Sequence, residues 1–73
     1  MRDLTSEEKT VLEQLIDRTS LETVLQNIGN ICVEKAEHIR TNWQDDPLAR
    51  LWQLAGMRAD TCAGSSAVHR VSQ

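Results

Sequence analysis

The sequence predicts an all-α fold: three helices in antiparallel arrangement, the central one long, in a chain of 73 residues whose core is completed by oligomerisation. Three observations lead there. From Thr19 to Trp43 the apolar residues Leu21, Leu25, Ile28, Cys32, Ala36, Ile39 and Trp43 recur in steps of three and four, the pitch of a straight α-helix. Residue clusters that start helices flank that stripe on both sides. With neither Phe nor Tyr, the core has to be filled from Leu, Ile, Val and two Trp, and a core this small supplies only about 3–5 kcal/mol without a disulfide, a metal or a partner chain.

The first helix is expected over Thr5–Arg18. Thr5 and Glu8 have the spacing of a capping box, in which each side chain bonds the other's backbone amide, and Val11, Leu12, Leu15 and Ile16 follow on one face. A second box at Thr19 and Glu22 opens the central helix, expected over Ser20–Asn42, so the two helices form an antiparallel hairpin. Counting outward from the turn pairs Ile16 with Leu21 and Leu12 with Leu25. The half from Ala36 to Trp43 is left to other elements. Asp46 at a cap position followed by Pro47 starts a third helix over Pro47–Thr61, with Leu48, Leu51, Trp52, Leu54, Ala55 and Ala59 on its apolar face. Counting from that second turn sets Trp52 beside Ala36 and Gly56 near Cys32 and Val33. Gly29, Ala36, Gly56 and Ala59 would then form a lane of small residues along which the helices approach closely; the alternative is that both glycines are merely tolerated. Residues 1–62 thus make a single helical domain. Residues 63–73, polar and aperiodic with Val68 and Val71 as the only anchors, are expected to be a mobile tail.

Charge and motif content narrow the function classes. A net charge of −3 and a pI near 5.2 oppose attraction to phosphate backbones or anionic membranes, so neither nucleic acid nor membrane is expected as a partner. A helix-turn-helix reading would offer Arg50, Gln53 and Arg58 to DNA, but the central helix is too long for that motif. MRDLTSEEKT has no apolar core of a secretory signal, and no run approaches the ~18 apolar residues of a spanning helix, which points to the cytoplasm. No spacing assembles a nucleophile, a base and an orienting group, and no glycine-rich phosphate loop is present, so neither an enzyme nor a cofactor is expected. Cys32 and Cys62 lack the paired spacing of a zinc or redox motif, and counting sets them about 7 Å apart along the helix axes before any lateral offset, so no intrachain disulfide is expected.

Two groups of residues remain as site candidates. Glu34 and His38 lie one turn apart and can share a divalent metal, with Cys32 nearby. A di-iron bundle would need Glu-x-x-His on facing helices, whereas Lys35 stands three residues before His38, so a solvated polar face is the plainer reading and no metal is assigned. Ile39, Trp43, Leu51 and Leu54 are left uncovered by a first helix that runs out near Cys32, and apolar area of that kind marks an interface, here between two copies of the chain.

The stretch CVEKAEHIRTNWQDDPLARLWQLA resembles short uncharacterised bacterial proteins with Lys-Ala-Glu-His followed by Asn-Trp-Gln-Asp. The resemblance spans about Ile16 to Ala55 and implies an all-helical cytoplasmic protein with no activity attached. It makes Glu34, Glu37, His38, Asn42 and Gln44 candidates for a partner- or ligand-binding surface. The preferred expectation is a non-enzymatic, self-associating interaction module; the alternative is a metal- or small-ligand-binding protein centred on Glu34 and His38.

Overall fold

Four side-chain oxygens start the four α-helices of the described residues. The Thr5 hydroxyl accepts from the Glu8 amide and the Glu8 carboxylate from the Thr5 amide, completing the expected box at the head of α1 (Ser6–Arg18). Ser20 accepts from Thr23 at the head of α2 (Leu21–His38), Asp45 from Leu48 at the head of α3 (Asp46–Ala63), and Ser65 from Val68 at the head of α4 (Ser66–Val71). This computed structural model describes residues 2–73, and among them no strand occurs.

Two caps differ by one residue from expectation. The Thr19 hydroxyl donates to the Leu15 carbonyl at the end of α1, and Ser20 caps α2 in its place. Asp45 rather than Asp46 caps α3, which leaves Pro47 in the first turn, where a missing N–H costs no helical bond. The central helix also ends early. After His38 the backbone widens into a π-helical turn, Ile39–Trp43, closed by Gln44 in the left-handed region at φ 51°. Arg40 ties this turn to α3, donating to Gln53 at 3.0 Å and approaching Asp46 at 3.8 Å.

Helices α2 and α3 pack along the predicted lane. Gly29, Cys32 and Ala36 are the buried residues of α2, and Ala49, Gly56 and Ala63 those of α3. A Cβ placed on Gly56 would sit 2.9 Å from the Gly29 carbonyl oxygen, 3.1 Å from Cys32 Cβ and 3.3 Å from Val33 Cγ2. A Cβ on Gly29 would lie 3.1 Å from the Gly56 carbonyl. Each glycine is therefore the space the other's backbone occupies.

The expected pairing of α1 with α2 does not make a core: no residue of α1 is buried, and Leu15 is 46% exposed. The tail expected from residue 63 onward is corrected to a helix. Val68 of α4 is buried, and the Ser72 hydroxyl accepts from the Glu22 amide at 2.9 Å. That amide is one of the first-turn donors that α2 cannot satisfy internally, so the chain's end completes the cap of its central helix. The molecule measures 40 × 29 × 17 Å with a radius of gyration of 14.0 Å, against about 11 Å for a compact domain of this length.

Two tests follow from this packing. Alanine is a better helix former than glycine by ~1 kcal/mol, yet Gly56→Ala is expected to lower stability by about 1–2 kcal/mol because the new Cβ meets a backbone oxygen that cannot move aside. Gly64→Ala, whose Cβ would meet nothing closer than 3.6 Å, is expected to stay within ~0.5 kcal/mol of the parent. Urea unfolding followed by circular dichroism checks both, and equal midpoints for the two variants would refute the close crossing. At the head of α1, both Arg2 guanidinium nitrogens, then the Thr5 amide and hydroxyl, bond the Glu8 carboxylate and lower its pKa from 4.5 to about 2. The folded value is the lower one, so this stabilisation is present above pH 4.5 and disappears as pH falls through 2. An NMR titration of the Glu8 carboxyl is expected to show that low midpoint, and Arg2→Ala to move it back toward 4.5.

Candidate functional site

Because α2 and α3 meet through glycine and alanine, their larger aliphatic side chains stand on the flanks of the contact. Several clefts result, and three of them hold the residues that matter here. The first lies between α1 and α2, with Leu12 and Leu15 on one wall and Val24, Ile28 and Ile31 on the other; Thr19, Thr23 and Asn27 complete it. It encloses about 310 Å³ and no charged side chain lines it. Ile31 also lines the second cleft, of about 390 Å³, with Glu34, Lys35, His38, Ile39 and Trp52. There the Lys35 ammonium lies 5.6 Å from the Trp52 ring centroid, a cation–π distance. The third cleft, about 410 Å³, is formed by the first turns of α3, with Asp46 and Arg50 beside Pro47, Leu51 and Leu54.

The residues expected at an interface are thus divided. Leu51 and Leu54 share the third cleft, at 63% and 43% exposure. Ile39 is half-buried in the second, beside Trp52. Trp43 lines neither and is 73% exposed. The widened turn explains it: i to i+5 bonding rotates each residue less about the axis than α-helical bonding does, so Trp43 leaves the stripe on which regular spacing had placed it.

The polar candidates fall partly together. Glu34 and His38 line the second cleft, whereas Glu37 is exposed and absent from its lining, and Gln44 is the left-handed residue that ends the π turn. Asn42 donates to the His38 carbonyl at 3.1 Å and lies 3.1 Å from the ring nitrogen Nδ1. Its first task is local, holding the widened turn. Among the described residues no group of three or more His, Cys, Asp or Glu side chains is placed to hold a metal ion. Glu34 and His38 therefore remain a pair, and the buried Cys32 faces α3 through Gly56 rather than joining them. Of the residues considered for DNA, Gln53 is engaged by Arg40 and Arg50 stands in the third cleft. No helix of the described residues is long and apolar enough to cross a membrane.

Set beside family models, curated proteins and solved structures, the chain finds no match. Functional reading rests on its own side chains.

Sequence reasoning placed the uncovered surface at the far half of α2 and missed the cleft at the near half. The signal was present in the two-residue connection, Thr19–Ser20, and in a first helix with only four apolar positions, Val11, Leu12, Leu15 and Ile16. A face that narrow holds one neighbour loosely.

Both cysteines carry free thiols, Cys32 buried and Cys62 exposed. A thiol reagent under native conditions is therefore expected to modify Cys62 alone, with Cys32 reacting only after denaturation. Mass spectrometry of the labelled chain reads the difference, and rapid double labelling of the native protein would contradict the α2–α3 packing.

Proposed function

We propose that this chain is a non-enzymatic interaction module that self-associates through its second and third helices, with Ile39, Trp43, Leu51 and Leu54 in the contact and an acidic surface left for another protein. The supporting observation is surface area. The chain exposes 6015 Å² at a mass of 8.3 kDa, roughly 1,400 Å² more than the ~4,600 Å² of a compact monomer of that size. Much of what is exposed is large and apolar: Trp43 at 73%, Met57 at 64% and Leu51 at 63%. Asp46 and Arg50 stand beside Leu51 and Leu54, so this apolar patch carries charged groups of both signs at its rim.

A second reading has one observation in its favour. The Trp52 cleft combines an aromatic wall with Glu34, Lys35 and His38, the mixture of apolar surface and a few polar groups that small-ligand sites use. A metal at Glu34 and His38 would need ligands from outside this pair.

Light scattering over a concentration series separates the readings. The parent chain is expected at twice 8.3 kDa, and Trp43→Ala or Leu51→Glu is expected to weaken the dimer by at least ~30-fold, the loss typical of a central interface residue. A parent that stays monomeric at every concentration would overturn the proposal. A mass change that appears only with divalent metal would transfer the function to Glu34 and His38.

A further inference from the structure

We infer that His38 and Asn42 form a proton-operated latch on the π turn: the neutral imidazole holds the turn closed, and the protonated ring lets it open. This goes beyond self-association and stands or falls without it.

The turn needs holding. Its i to i+5 bonding departs from the regular helix before it, and Gln44, which is not glycine, closes it at φ 51°, in the left-handed region where a Cβ is crowded. Turns of this kind next to α-helix are frequent at functional positions. Two sets of side-chain bonds hold this one. Arg40 reaches across to Gln53 and Asp46 on α3. Asn42 reaches back one turn to His38, and only this second set contains a group of the type that exchanges a proton near neutrality.

Hydrogen bonding assigns the proton. Asn42 Nδ2 lies 3.1 Å from the His38 carbonyl oxygen, which can only accept, so the amide is oriented with its nitrogen there. The same nitrogen lies 3.1 Å from His38 Nδ1, and an amide nitrogen donates without accepting. Nδ1 is therefore the acceptor, and the neutral ring carries its proton on Nε2. A second proton has to go to Nδ1, where N–H would face N–H. That bond is then lost, and the ring turns away from Asn42.

The surroundings supply another partner. The cleft that His38 lines carries the charged Glu34 and Lys35 from α2 and, from α3, only the uncharged Trp52; α1 and α4 contribute no residue to it. The Lys35 ammonium stands 5.6 Å from the Trp52 ring centroid. Glu34, four residues before His38 on the same helix, is within reach of an imidazolium, so the protonated ring exchanges an amide donor for a carboxylate acceptor. The other histidine, His69, lies against Glu22 at the opposite end of α2 and serves as an internal control.

The test is an NMR titration of the ¹⁵N-labelled full-length chain between about pH 8 and pH 5, the range over which an imidazole exchanges its proton. Long-range ¹H–¹⁵N spectra at the upper end are expected to show His38 with Nδ1 bare and Nε2 protonated. On acidification the Asn42 side-chain amide and the Trp43 backbone amide are expected to shift in one step with the His38 ring, at a midpoint independent of protein concentration. Asn42→Ala is expected to abolish the step at Trp43, and His69→Gln to leave it intact. A neutral ring with its proton on Nδ1, or a Trp43 amide that stays in place while His38 titrates, would overturn the inference on the unmutated chain. So would a step that survives Asn42→Ala or vanishes with His69→Gln. A midpoint that follows protein concentration would assign the step to association and overturn the latch as well.

Discussion

The backbone contact between Gly29 and Gly56 is the constraint on which the rest of the molecule depends. A carbonyl of one helix occupies the place of the other's missing Cβ, with Cys32 and the Val33 methyl beside it, so the axes lie closer than side-chain packing allows, and the larger aliphatic side chains stand on the flanks of the contact. The helices accept two interior glycines, each unfavourable by ~1 kcal/mol relative to alanine, in return for dense contact along the lane. What they forgo is burial of large aliphatic groups: among the described residues no bulky side chain is fully enclosed, and Val68 and Cys32, both at 8% exposure, are the largest in the core. Alanine and glycine remove little apolar surface from water, and hydrophobic stabilisation scales with that area. The crossing fixes geometry more effectively than it supplies stability.

Two devices at the ends of the α2–α3 pair add order where the core cannot. At one end the π turn spreads the chain before α3 begins, and Asn42, Arg40 and Gln53 bond across it. The widened turn carries Trp43 away from the stripe while Ile39 stays in contact with the Trp52 cleft. At the other end α4 folds back to α2. Ser72 satisfies an amide that the helix leaves open, and His69 approaches the Glu22 carboxylate at 3.5 Å. Both devices join residues through polar bonds at the surface, where each contributes only modestly.

Local signals of the fold were legible and non-local ones were not. The capping box at Thr5 and Glu8 is encoded in four consecutive residues, and the neighbours of Gly56, namely Cys32 and Val33, follow from counting equal rises on antiparallel helices. Thr19 and Ser20, like Asp45 and Asp46, are adjacent residues of equal capping ability, so the choice between them depends on which hydroxyl or carboxylate the neighbouring helix end already uses. Nothing in Ile39–Trp43 announces a π turn, since it contains neither glycine nor proline. The fourth helix depends on an acceptor for the Glu22 amide that lies fifty residues away in the chain, and its six residues hold too few apolar positions to show a period. Of the site candidates, Glu34 and His38 fell together because they are one turn apart on one helix. Leu51 and Leu54 did so for the same reason. Trp43 separated from them because its position depended on regular helix continuing through the turn.

The same constraint explains why the apolar surface lies where it does. If α2 and α3 crossed through leucines, the gap between them would be wider and the flanking residues could turn inward; with glycine at the crossing they cannot, and Ile28, Ile31, Leu51 and Leu54 line open clefts instead. Helix α1 is joined to α2 by only two residues and meets it with a narrow face, so it forms one wall of a cleft without closing it. A close-packed pair of helices thus creates the demand for further cover, and the excess of surface over a compact monomer measures that demand. On this view close approach inside the chain and uncovered apolar surface outside it are two consequences of one sequence feature, the small residues at positions 29 and 56.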